Sequence, residues 1–161
     1  MTDNNRQVQE RSTQLERFRC LVAVHLFLFR EKHILLLRRY NTGYADGQYS
    51  VIAGHLDGNE EIKTAMIREA QEEANIEIVP QNLEVVGVMH RKAADERIDF
   101  FLVATSWTGT IMNNEPAKCD DLRWFPLNEL PENMVPYVRR ALQNHLTGTW
   151  FDSLGWNIVG A

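Results

Sequence analysis

The chain has 161 residues, 44% of them apolar, which is enough for one substantial core and within the usual range of a single domain. Its net charge of −5 argues against a protein that holds nucleic acid by neutralising phosphates, because that needs a basic surface. An acidic protein that handles phosphates is expected to recruit a cation. Cys20 and Cys119 are far apart and fit neither a CxxC metal knuckle nor a dense disulfide framework. The polar start from Met1 to Glu16 lacks the apolar run of a secretory signal, and no stretch is long enough to span a bilayer. A cytoplasmic protein with no membrane partner is the expectation.

Residues 1–16 are polar and without periodicity and read as a frayed or loosely docked segment ahead of one domain over 17–161. The run CLVAVHLFLF from Cys20 to Phe29 is rich in β-formers, and HILLLRR from His33 to Arg39 is a second such run. With Arg30-Glu31-Lys32 between them, the two read as a hairpin feeding a buried sheet. YNTGYADGQ, from Tyr40 to Gln48, carries turn residues and two tyrosines and reads as a surface loop, followed by a short strand in QYSVIAG. The stretch from Glu60 to Asn75 reads as a helix. EIVP, LEVVGVMHR and RIDFFLVATSW supply further strand candidates, and DLRWFP, from Asp121 to Pro126, reads as the last strand. From Met134 to Leu146, Val135, Val138, Ala141, Leu142 and Leu146 fall at helical spacing. The tail TWFDSLGWNIVGA is apolar enough to pack as a flap or to lie in an oligomer interface. Strands interspersed with two helices make an α/β protein with a mixed sheet between helices.

The helix at 60–75 carries the chemistry. At about 100° per residue, Ile62, Ala65, Met66, Glu69, Glu72, Glu73 and Ile76 fall on one face. The stripe starts apolar, turns acidic and ends apolar, so a helix that buries Ile62 and Met66 turns its acids toward the same side. Crowded carboxylates on a partly buried face either take up protons or bind a cation. Magnesium, which favours a few carboxylate oxygens plus water and phosphate, suits such an incomplete cage. A glutamate-rich helix with a solvated face is the bland alternative. Against it stand the coincidence of the two stripes and the Gly-rich approach AGHLDGNEE, whose glycines let backbone come close to a metal or phosphate.

These residues form a pattern: Gly54, five residues, Glu60, seven residues, then Arg68-Glu69-Ala70-Gln71-Glu72-Glu73-Ala74-Asn75-Ile76. It resembles the Nudix box, G-x5-E-x7-R-E-U-x-E-E-x-G-U, with U a bulky apolar residue. Ala70 is small where a larger aliphatic is usual, and Asn75 replaces a glycine that ends the helix in a left-handed conformation, which asparagine tolerates next best. The resemblance implies an α/β/α sandwich and hydrolysis of a nucleoside triphosphate, or of a nucleoside diphosphate linked to another moiety. It also implies metal ligation by Glu69, Glu72 and Glu73, an orienting role for Arg68 and a supporting one for Glu60. Gly54 would offer its carbonyl to the metal, which would be magnesium, with manganese as the alternative. Many members of the family add an acid from a later loop, and Glu115 in NNEPAKCDD is the candidate here. Nudix-like proteins are often dimers, so a homodimer is an open expectation.

The rest of the substrate must meet residues outside the box. Arg38, Arg39, His90, Arg91 and Arg97 are candidate phosphate contacts, with Arg97 favoured because DERIDFF sets it at the start of a strand beside turn acids. Tyr40 and Tyr44 are candidates to stack on a base. The chain lacks the SQPWPFPxS signature of the NADH hydrolases and a coenzyme A signature, and the proline of many ADP-ribose hydrolases has no counterpart around His90-Arg91. Two further classes remain open: a nucleotide sensor that kept the fold and lost the chemistry, and a partner-binding domain that uses the tail around Trp150, Phe151 and Trp156.

Overall fold

A computed structural model describes residues 17–156; the polar segment 1–16 and residues 157–161 lie outside the described residues. β1 (Leu21–Phe27), β2 (Phe29–Arg30), β3 (His33–Arg39), β4 (Tyr49–Ser50) and β5 (Ile52–His55) precede α1 (Ile62–Ala74). β6 (Leu83–Lys92), β7 (Glu96–Ala104) and β8 (Cys119–Pro126) follow, then α2 (Pro136–Thr147) and β9 (Phe151–Leu154). Five strands form a sheet in the order β5-β1-β7-β6-β9. It is mixed: β1 pairs antiparallel with β5 and parallel with β7, and β6 pairs antiparallel with β7 and parallel with β9. The second sheet is built on β3, with β2 and β4 along one edge and β8 along the other, all antiparallel.

The apolar runs are buried on both faces, and alternation sends their side chains to two cores. Val24 and Leu26 of β1 and Leu35 and Leu37 of β3 pack with Ala65, Met66, Ala70 and Ala74 of α1. Phe27 of β1 and Ile34 and Leu36 of β3 pack instead with Val138, Ala141 and Leu142 of α2. The sheets therefore lie between the two helices, as expected of an α/β/α sandwich with a mixed sheet. Among the described residues, no helix is long and apolar enough to cross a membrane.

The expected hairpin between the first two runs is corrected. Only Phe29 and Arg30 turn back on Ile34 and His33, while Leu21–Phe27 leaves for the other sheet. The chain changes sheets at Leu28, and changes back between β4 and β5 at Val51. Both residues are almost fully buried, at 0% and 1% exposure, so nothing in the local hydropathy marks the break. EIVP is no strand: Glu77 forms a single bridge with Thr108, and Pro80 opens a short 3-10 turn. DLRWFP lies in β8 but is not the last strand. The tail supplies β9, whose Asp152 accepts from Arg140 Nε at 2.6 Å and Asn144 Nδ2 at 2.6 Å on α2.

Helix α1 is capped at both ends. Glu61 accepts from the amides of Lys63 and Thr64, and Asn75 adopts φ 56°, ψ 36°, its amide donating to the Ala70 and Gln71 carbonyls. A side chain with a Cβ but no local hydrogen bond is strained in that region by about 1–2 kcal/mol. Asn75→Ala should therefore lower the unfolding free energy in a denaturant titration by about 1 kcal/mol, whereas Asn75→Gly should leave it within a few tenths.

Candidate active site

A cleft of about 430 Å³ opens between the two sheets and reaches the C-terminal half of α1. Glu69, Glu72, Glu73, Gly54 and Glu115 all line it, so residues from α1, β5 and the loop before β8 meet there. Glu69 is buried, Glu73 partly buried and Glu72 exposed, which follows from one helix face rolling from core to solvent.

Arg68 ties this group to the turn before the helix. Its Nη2 donates to Glu60 Oε1 at 2.8 Å and to the His55 carbonyl at 3.1 Å, and its Nη1 donates to Glu69 Oε1 at 2.7 Å. Glu60 also accepts from the Asp57 amide at 2.9 Å, and the Arg68 guanidinium holds its carboxyl below the usual range. Arg68 itself is held firmly protonated, first by Glu60 and then by Glu69. Gly54 explains how Glu69 reaches the cleft: a Cβ at position 54 would lie 1.9 Å from Glu69 Oε1 and 2.0 Å from Cδ. Burial pushes the Glu69 carboxyl up, partly offset by Arg68. Glu73 takes a 3.0 Å hydrogen bond from the Ala53 amide, yet burial, with Glu69 and Glu115 nearby, pushes its carboxyl from 4.5 to about 8.

The remaining candidates divide. Arg39 and Tyr44 line the cleft together: Arg39 Nε donates to the Tyr44 carbonyl at 2.7 Å, and the guanidinium lies 5.4 Å from the Tyr44 ring centroid. Arg97 also lines the cleft, its Nε donating to Asp95 at 2.9 Å. Arg91 does not. It is buried, donates to Asp99 Oδ2 at 2.8 Å and lies 3.9 Å from the Tyr137 ring centroid, one contact removed from the cleft that Asp99 and Tyr137 line. Arg38, His90 and Tyr40 are likewise absent from the lining, with Arg38 paired to Asp120 at 2.8 Å and His90 to Glu96 at 2.9 Å.

Several lining residues escaped sequence reasoning, among them His25, His55, Asp99, Lys118 and Tyr137. His25 Nε2 and Asp99 Oδ1 are 3.0 Å apart at the buried end of the cleft. Burial alone would raise the Asp99 carboxyl, but hydrogen bonds from His25 and Arg91 outweigh it and hold it below the ordinary value. A signal existed: His25 and Asp99 are the lone polar residues inside the apolar runs LVAVHLF and IDFFLVA.

A family model described as the NUDIX domain matches residues 20–145. The chain belongs to the Nudix family. Curated relatives that it matches include the NAD-capped RNA hydrolase NudC of two Pseudomonas aeruginosa strains, 29% identical over 117 residues. That match covers 73% of this chain but only 39% of the relative, so the chain spans about two fifths of the length of those proteins. Among solved structures, a MutT Nudix hydrolase from Burkholderia pseudomallei superposes with a TM-score of 0.71 at 25% identity, covering 76% of this chain and 95% of the other. A MutT protein from Methanosarcina mazei gives 0.69 at 18% identity, with 79% and 93% covered, which bears on the fold alone. The Nudix box of this chain thus sits on the Nudix fold, with α1 as its helix.

Two outcomes follow from the packing of these acids. Gly54→Ala should lower the unfolding free energy by about 1–3 kcal/mol, as overpacking does, and most of that loss should vanish in a Glu69→Ala background. A carboxyl whose folded pKa is raised takes up a proton on folding, so its contribution is fully present below about pH 4.5 and is lost as pH rises toward about 8. Thermal melts of metal-free protein between pH 5 and 8 should therefore fall less steeply for Glu73→Gln than for the wild type.

Proposed function

We propose that the chain is a magnesium-dependent pyrophosphohydrolase that cleaves the phosphoanhydride bond of a nucleoside triphosphate or of a nucleoside diphosphate linked to another moiety. The observation that carries this reading is the convergence of Glu69, Glu72, Glu73 and Glu115 on one cleft, where burial pushes the Glu73 carboxyl up to about 8, with Glu69 and Glu115 adding to it. Among the described residues, no three His, Cys, Asp or Glu side chains close into a metal cage. An open arrangement of hard oxygen donors fits magnesium, which keeps several waters and takes phosphate oxygens, with manganese as the alternative.

Glu69, Glu72 and Glu73 would hold the ion from the helix and Glu115 from the loop, with the Gly54 carbonyl beside them. When bound, the metal neutralises the diphosphate, polarises the attacked phosphorus and lowers the pKa of a coordinated water. Arg68 keeps the Glu69 carboxylate aimed into the cleft through its anchors on Glu60 and the His55 carbonyl. Arg39 and Arg97 offer guanidinium groups to substrate phosphate or ribose oxygens, and the Tyr44 ring offers a stacking face. Arg91 acts at one remove, by fixing Asp99.

The named bacterial relatives act on NAD-capped RNA. This chain has no SQPWPFPxS, so free nucleotides come first in a substrate panel and an NAD-capped RNA belongs in the same panel. The expected setting is the cytoplasm, with a small-molecule nucleotide as partner.

Glu73→Gln should fold and lose turnover by more than about 100-fold on every substrate, beyond the 10–100-fold typical of an outer-shell change. Product identification by mass spectrometry across the panel, with magnesium, checks it. Near wild-type turnover by the folded variant, or nucleotide binding by the wild type without any turnover, would sink the reading.

A further inference from the structure

Among the described residues, Arg39, Arg97 and Lys118 are the lysine and arginine side chains that line the cleft. Arg39 is held in place by its own loop through two of its five donors, to the Tyr44 carbonyl at 2.7 Å and to Thr42 Oγ1 at 3.0 Å, which leaves the others to face the cleft. Arg97 is paired with Asp95. Lys118 differs: among the described residues its Nζ makes one hydrogen bond, to Glu115 Oε1 at 2.8 Å, and its side chain is 63% exposed. An ammonium has three donors, so two remain free on a flexible stem.

The partner in that contact matters. Glu115 and Lys118 line the same cleft as Glu69, Glu72 and Glu73. The backbone fixes this arrangement. The Lys118 and Cys119 amides both donate to the Glu115 carbonyl, at 2.9 and 3.0 Å, and the Lys118 carbonyl accepts from the Tyr40 amide at 2.8 Å. The turn that presents Glu115 thus presents Lys118 to the same space.

We propose that Lys118 is a phosphate-binding residue that also serves as a latch on Glu115, exchanging the carboxylate for a substrate phosphate oxygen when a nucleotide enters the cleft. The exchange is a swap of ion pairs in which no covalent bond changes. The exposed Lys118–Glu115 pair is weak, so it yields easily, and a doubly charged phosphate is the stronger partner. Release of the latch turns the Glu115 carboxylate toward the cation held by the other acids. Divalent ion and diphosphate then each improve the binding of the other by more than direct bridging supplies. The inference rests on the metal-dependent reading above.

Calorimetry with Mg2+ and with methylenediphosphonate, a diphosphate that cannot be hydrolysed, tests it without turnover. In Lys118→Met, methylenediphosphonate affinity should fall about tenfold, or 1.4 kcal/mol, and Mg2+ alone should bind about threefold tighter because Glu115 is free. Lys118→Arg should restore most of the diphosphate affinity. The gain in Mg2+ affinity should disappear when Lys118→Met is combined with Glu115→Gln, since no latched carboxylate is then left to release. Unchanged affinities in Lys118→Met, or a Mg2+ gain that survives in the Glu115→Gln background, would overturn the latch. If the wild type binds neither probe, the metal-dependent reading itself fails, which sets that outcome apart from failure of the Lys118 inference.

Discussion

At the mouth of the cleft, a carboxylate and the space for one methyl group compete for the same volume. Glu69 reaches its position because residue 54 has no Cβ, and it stays there because Arg68 bonds it from the other side. Arg68 in turn grips Glu60 and the His55 carbonyl, so one guanidinium locks helix α1, the end of β5 and the turn between them into a fixed relation. The acids on the next helical positions inherit that alignment. Burial, with Glu69 and Glu115 adding to it, pushes the Glu73 carboxyl up to about 8. Buried carboxylates of this kind are stabilised either by a proton or by a cation.

Much of this was legible in the residues. The helix from Ile62 to Ala74 could be read because its apolar and acidic stripes share one face, and Asn75 at the end marked a left-handed cap that the backbone adopts. Glu69, Glu72, Glu73, Gly54 and the more distant Glu115 are brought to one cleft. What stayed hidden depends on which sheet a strand joins. Leu28 and Val51 are as apolar as their neighbours, so the points where the chain changes sheets leave no pattern. The C-terminal strand was missed for a related reason: the short FDSL run pairs in parallel with β6, a contact that no local turn announces.

Charge was harder to place than hydropathy. Arg91 and Arg97 sit six residues apart on a paired hairpin and look alike in sequence, yet they are opposite one another in register and meet different environments. Arg97 lines the cleft, whereas Arg91 is buried against Asp99. The deciding residues, His25, Asp99 and Tyr137, come from β1, β7 and α2, and only the folded chain brings them together.

The double change of sheet has a consequence for how this cleft can diversify. Its walls belong to two sheets, and two of the crossings between them run through fully packed residues, Leu28 and Val51, so parting the walls there would disrupt the core. The parts of the lining that hang from this frame are the Thr42–Asp46 loop with Tyr44 and the Asn113–Lys118 turn with Glu115. Each of these can be lengthened or replaced while the box helix and its acids keep their alignment.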